Sequence, residues 1–144
     1  MKNHLLLIVS TLFILSLCVV SCQNQDQYIL DSIPSPEEGR ANISGRLQLI
    51  NQTNIKGISV WVTPIYRSVS GEGVYALDTS SNPYTLTDED GYFLFEDIEP
   101  GEYILFIGDP MTKFAIVTDD NGEVRVWDIL PNETNDLGVI SIDF

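Results

Sequence analysis

The chain predicts an all-β fold, a single antiparallel β-sandwich of about seven to nine short strands. Three observations lead there. Short apolar runs recur between turn-forming clusters from Ala41 onward, with no helical stretch among them. Polarity alternates within some runs, as in Ile58, Val60 and Val62 against Ser59, Trp61 and Thr63. The breaks between runs are written in Asp, Asn, Gly and Pro, the residues that make tight turns.

In chain order, Met1–Ser21 reads as a targeting segment. Lys2 supplies a positive start, and Leu5–Val20 is a 16-residue apolar run. That is short for a membrane span, which needs about 20 residues, and suits a signal peptide. The run stops at Val19-Val20-Ser21-Cys22, which resembles the bacterial lipobox of apolar, small, small, Cys. Cleavage between Ser21 and Cys22 requires the small serine, and the Cys22 thiol is the atom that would carry a diacylglycerol thioether. Two or three acyl chains there make bilayer attachment stable, where one is marginal. Gln23 after the cysteine resembles the outer-membrane default of two-membrane bacteria. The expected location is the cell envelope, with the domain outside the cytoplasm and the lipid bilayer as a partner through acylated Cys22. Cys18 follows bulky Leu17 and belongs to the apolar run, so no disulfide is expected.

Residues 22–40 read as the lipidated cysteine and a flexible tether. Gln23–Arg40 is polar, carries Pro34 and Pro36, and spans about 23–25 Å as a coil. Tyr28-Ile29-Leu30 is its apolar knot.

Residues 41–144 make one domain of 104 residues, near the modal domain size. Strands are expected near residues 42–50, 57–66, 73–77, 84–87, 92–96, 102–108, 113–118, 123–129 and 137–144. Ile58, Val60 and Val62 should face inward, with Ile140, Ile142 and Phe144 as the matching inner set of the last strand. Asp90-Gly91 between apolar runs predicts a hairpin pairing Tyr84–Thr87 with Tyr92–Glu96. Glu99-Pro100-Gly101-Glu102 is a second turn, and Glu102–Gly108 the strand after it. Both faces of these strands are apolar: Phe93, Phe95, Tyr103, Leu105 and Ile107 on one side, Tyr92, Leu94, Ile104 and Phe106 on the other.

Residues Thr87–Tyr103 also resemble the signature of carboxypeptidase regulatory-like domains, T-D-x-x-G-x-F-x-F-x-x-L/I-x-P-G-x-Y. The resemblance extends loosely over Ala41–Phe144. It implies a transthyretin-like (prealbumin-like) sandwich with Phe93, Phe95, Ile98, Tyr103 and Leu105 in the core. It implies no peptidase activity, since the chain carries neither a catalytic domain nor zinc ligands. Residues Arg67–Pro83 exceed the family's usual connection.

Composition narrows the chemistry. The single histidine, His4, leaves with the signal, which removes Ser-His and Cys-His nucleophile systems and Cys/His zinc sites from the mature chain. No enzyme activity and no cofactor are expected. Removing Lys2 leaves six basic residues against 21 acidic ones, a net charge of −15, which disfavours nucleic acid as a partner. Asp88, Asp90 and Asp119 are weak calcium candidates, because neither of their loops completes a calcium-loop pattern and both are accounted for as turns.

What remains is the second apolar face. Tyr92, Leu94, Ile104 and Phe106, with Trp61 and Trp127, form the candidate ligand or partner surface, unless the Arg67–Pro83 insertion covers it. The first reading is a membrane-anchored surface lipoprotein carrying a non-enzymatic interaction module for a protein or polysaccharide partner. The alternatives are a carbohydrate-binding module stacking sugars on Trp61, Tyr92 or Trp127, and a calcium-stabilised adhesion domain.

Overall fold

The computed structural model describes residues 32–143. The chain divides into two compact units, Met1–Pro34 and Ser35–Phe144, and the fold below is that of the second. The signal segment, Ser21, Cys22, the Tyr28-Ile29-Leu30 knot and Phe144 lie outside the described residues.

The strands are β1 (Ala41–Leu49), β2 (Ser59–Pro64), β3 (Tyr66–Arg67), β4 (Gly73–Val74), β5 (Tyr84–Leu86), β6 (Tyr92–Ile98), β7 (Gly101–Asp109), β8 (Lys113–Ile116), β9 (Trp127–Ile129) and β10 (Thr134–Ile142). They form an all-β sandwich. One sheet runs β10-β1-β6, and the other runs β5-β2-β7-β8, with β9 also on β7 beyond the end of β8. A small ribbon, β3-β4, rises from the insertion. All pairs are antiparallel except β1 with β10, which run parallel. That parallel pair departs from the wholly antiparallel expectation. A parallel pair needs a long crossover, and here the rest of the domain lies between the two strands.

The core fills the space between the sheets. Phe93, Phe95, Ile98, Tyr103 and Leu105 all point into it, as the family resemblance implies. They meet Val60 and Val62 from β2, Ile43 and Leu47 from β1, and Ile140 and Ile142 from β10. Phe93 and Phe95 pack edge to face at 6.2 Å. Each large apolar side chain buried this way contributes about 1.5–3 kcal/mol.

The expected hairpin between residues 84–87 and 92–96 does not form. β5 pairs with β2 and β6 pairs with β1, so the Asp-Gly turn carries the chain from one sheet to the other. Tertiary hydrogen bonds decide this. The Thr87 hydroxyl accepts from Ile58 N at 2.9 Å and donates to the Ile55 carbonyl, while Thr87 N donates to Ile58 O. Four residues further, Leu47 N donates to Gly91 O at 2.8 Å. The crossing lets Phe93 and Phe95 of the smaller sheet pack with Val60, Val62 and Leu105 of the larger one. The Glu99–Gly101 turn crosses between the sheets in the same way.

The ordered part of the domain also reaches back beyond Ala41. Glu37 N donates to Asp97 Oδ1 and Gly39 N to Asn132 Oδ1, both at 2.7 Å. Asp97 and Asn132 hold φ of +54° and +65°, which turns their side chains toward this strap. Arg40 adds an ion pair to Glu99. Residues 37–40, assigned to the tether on composition, are therefore pinned to the sandwich.

Two turns share one design. In Asp88–Tyr92 and in Asp119–Glu123 the leading Asp accepts the N–H groups of the second and fourth residues on through Oδ1, at 2.8–3.0 Å. Gly91 and Gly122 stand at the same place in each, with φ of +86° and +79°. Their surroundings differ. A Cβ on Gly91 would lie 2.4 Å from Leu47 O and 2.8 Å from Ile55 Cδ1, whereas one on Gly122 would meet nothing within 4 Å. Gly122→Ala should then cost about 1–2 kcal/mol, the left-handed backbone penalty alone. Gly91→Ala should cost about 2–4 kcal/mol, because overpacking adds to it. Urea unfolding of the two variants checks this, and equal losses would contradict the crossing geometry.

Candidate recognition face

Alternation on β2 sends Val60 and Val62 into the core and leaves Ser59, Trp61 and Thr63 on the outer side of the larger sheet. Register then builds a cross-strand row on that side. Tyr84 stands opposite Trp61, Trp61 opposite Phe106, and Phe106 opposite Ile116, one residue from each of β5, β2, β7 and β8. A second row runs Leu86, Ser59, and then Gly108 opposite Phe114.

The middle of this face is closed. Trp61, Ile104 and Phe106 form a second apolar cluster, at 8%, 0% and 5% exposure, packed under Ile65, Leu77, Ile116 and Val124. Thr63 is buried beside them. Leu77 and Tyr75 of the Arg67–Pro83 insertion cover part of the patch, and Ile65, Ile116 and Val124 cover the rest. Trp61 is fixed further by its indole N–H, which donates to Gly108 O at 3.2 Å.

What the face shows to solvent is a rim of different residues. Tyr84 stacks on Trp61 with centroids 4.6 Å apart and planes 27° apart, and is 57% exposed. Phe114 tilts against Phe106 at 5.7 Å, and Tyr75 meets the same ring edge-on at 6.5 Å. Phe114, Tyr75 and Leu86 are all substantially exposed.

Several residues expected on one surface are therefore apart. Tyr92 and Leu94 lie on β6, in the smaller sheet, half-buried, because the chain changes sheets after β5 and again after β6. Arg46 lies over the Tyr92 ring at 5.1 Å and donates to Asp90 O. Ile104, Phe106 and Trp61 are together but covered. Trp127 is not a surface platform either. On β9 it alternates inward with Ile129, joins the main core opposite Tyr103, and is capped by the Arg125 guanidinium at 4.8 Å. Tyr84, Phe114 and Tyr75 went unnoticed in the sequence. The available signal was that Tyr84 and Leu86 alternate with Thr85 at the end of a long polar insertion.

The charged groups serve structure. Arg67 grips Glu102 with two nitrogens, one bond at 2.8 Å, and its third donates to Gly71 O, which holds the β3-β4 ribbon to β7. The hydrogen bond to Arg67 keeps the Glu102 carboxyl below its ordinary pKa. Asp78 is lowered by the hydroxyl and N–H of Ser80 and by the Ser81 hydroxyl, which close the turn leading into β5. Asp119 is lowered by the N–H groups of Glu123 and Asn121. Burial, with Glu99 nearby, raises Tyr103, whose hydroxyl donates to Glu99 O at 2.8 Å. The calcium candidates Asp88 and Asp119 thus spend an oxygen on their own turns, while Asp90 offers its N–H and carbonyl to Asp88 and Arg46. Among the described residues no three acidic, histidine or cysteine side chains converge as a metal site.

No protein-family model and no curated protein sequence matches the chain. Solved structures do resemble it. A Pseudomonas aeruginosa protein described as a candidate carbohydrate binder is 15% identical with a TM-score of 0.45, covering 78% of this chain and 99% of its own. The major pilin subunit of Bacillus cereus is 21% identical with a TM-score of 0.36, over 76% of this chain and 30% of the pilin. A 9R-lipoxygenase from Cyanothece is 18% identical with a TM-score of 0.41, over 76% of this chain, which spans 17% of the lipoxygenase. Likeness at this level carries no argument about function.

A carboxyl held below its ordinary value adds stability above the unfolded pKa and loses it as pH falls toward the folded one. Asp78, Glu102 and Asp119 all shift in that direction. The melting temperature should fall as pH drops from about 5 to about 3. Asp119→Asn keeps an acceptor oxygen without the charge, so its melting curve should depend less steeply on pH. An unchanged slope would remove Asp119 from this role.

Proposed function

We propose that the protein is a lipid-anchored, non-enzymatic β-sandwich module that recognises a partner through the outer side of its larger sheet. The observation that carries this is the exposed rim of Tyr84, Leu86, Phe114 and Tyr75 around a sealed aromatic cluster. Exposed apolar groups gathered in one place mark a contact surface more often than scattered ones do. Several acidic side chains, among them Asp78, Asp88, Glu102 and Asp119, are engaged in turns and ion pairs, which supports a binding role over a catalytic one. The resemblance of Thr87–Tyr103 to carboxypeptidase regulatory-like domains supports the same reading, since those domains carry no active site of their own. The Val19-Val20-Ser21-Cys22 junction supports attachment of the module to a bilayer through Cys22, in the cell envelope.

Two experiments test the parts separately. Labelled palmitate should enter the wild-type chain in a bacterial host and fail to enter Cys22→Ser; incorporation into both would refute the anchor. With Cys22 acylated and Cys18 removed with the signal, an introduced cysteine is the only free thiol. Leu86→Cys should react with an impermeant maleimide in purified protein and be protected on intact cells, while Asp120→Cys reacts equally in both. Equal labelling of Leu86→Cys in the two states would show that this face meets nothing.

A further inference from the structure

We propose that the ligand of this face is an uncharged polysaccharide, stacked on Tyr84 and Phe114 at the two sides of the larger sheet. The inference rests on the reading of that face as a recognition surface and names its ligand class. It departs from Trp61, Tyr92 and Trp127 as sugar platforms, because those rings are buried, half-covered or turned into the core.

The argument begins with how Tyr84 is held. One ring face lies on Trp61, whose indole is 8% exposed and tied to the Gly108 carbonyl. The inner face is therefore occupied, and the 57% exposure of the residue belongs to the side facing solvent. A ring fixed in this way presents a flat surface without further loss of rotamer freedom on binding. Its face carries the negative part of the aromatic quadrupole, which suits the polarised C–H groups on the flat side of a pyranose.

A second ring stands where a chain of sugars would reach it. Phe114 belongs to β8, three strand spacings across the sheet from β5, a distance of about 14 Å. It too has its inner side packed, here against Phe106. Tyr75, from the insertion, stands edge-on against Phe106. The result is a spaced set of supported rings rather than one continuous greasy patch, which favours a repeating polymer over the apolar centre of a protein interface.

Charge selects the polymer. The chain has a net charge of −14, and five of its seven bases face an acid or a ring away from this row: Arg40, Lys56 and Arg67 pair with Glu99, Glu89 and Glu102, and Arg46 and Arg125 lie over the rings of Tyr92 and Trp127, while Lys113 stands beside Phe114 on β8. An anionic polysaccharide or nucleic acid would meet net repulsion from the chain as a whole. So would a second copy of this chain. An uncharged glycan would not.

The test uses the full-length lipidated protein in detergent, run through affinity gels holding neutral β-glucan, xylan or mannan, with alginate as the anionic comparison. At least one neutral polymer should retard the wild type, and alginate should not. Tyr84→Ala should weaken binding roughly tenfold or more, as removal of a dominant contact ring does. Tyr84→Phe should restore it, and Tyr66→Ala, an exposed tyrosine on the β3-β4 ribbon, should leave it unchanged. A thermal melt of each variant separates loss of binding from loss of fold, and Phe114→Ala provides a second ring whose removal should weaken binding. No retardation by any neutral polymer, retardation by alginate equal to that by the neutral gels, or binding indifferent to Tyr84→Ala in a folded variant would each overturn the assignment. Protection of Leu86→Cys on cells without any neutral-glycan binding would leave the recognition face standing and discard only the sugar.

Discussion

The architecture depends on one crossing, the passage of the chain from β5 to β6 through Thr87–Gly91. Thr87 binds the 55–58 segment on the side of the larger sheet, and Gly91 gives its carbonyl to Leu47 on the smaller one. Between them, Asp88 gathers the N–H groups of Asp90 and Tyr92 into a turn tight enough to span the two layers. Only a residue without a side chain fits at Gly91, because the Leu47 carbonyl approaches so closely. With this passage in place the phenylalanines of β6 meet the larger sheet from the smaller one.

The same crossing decides the functional surface. It places β6 in a different sheet from β7, so the two sets of outward apolar residues are separated by the whole core. On the larger sheet the outward set is then long enough, across four strands, to need a cover of its own. The insertion supplies that cover with Leu77 and Tyr75, while Val124 and Ile116 close the other side. Burying the middle of the row leaves Tyr84 at one end of it, and Phe114 in the neighbouring row, supported from beneath and open above. A rigid, partly exposed aromatic set is thus a by-product of sealing a second small core.

Much of this was readable beforehand. The inward set Phe93, Phe95, Ile98, Tyr103 and Leu105 follows from the motif, and Val60 with Val62 from plain alternation against polar neighbours. Ile140 and Ile142 were legible for the same reason. Trp127 was not, because its same-face neighbours Arg125 and Ile129, one charged and one apolar, disagree about which side is inner. The Asp-Gly hairpin was misread because the turn chemistry is identical whether the flanking strands pair with each other or with third strands. The Glu37–Arg40 strap was hidden because its partners, Asp97 and Asn132, act through side chains in left-handed turns that leave no periodic trace.

By itself the amino-acid order determined the β class, the turn positions, the inward phenylalanines and the acidic character, since each is a property of neighbouring residues. It also determined the expectation of an acylated cysteine at a small-residue junction. Which strands pair, which aromatic rings are covered, and which remain in view on the larger sheet were decided only by the folded chain. Those outcomes turn on hydrogen bonds between residues far apart in the chain, such as Ile58 with Thr87, 29 positions apart, and Gly39 with Asn132, 93 apart, and no local pattern encodes them.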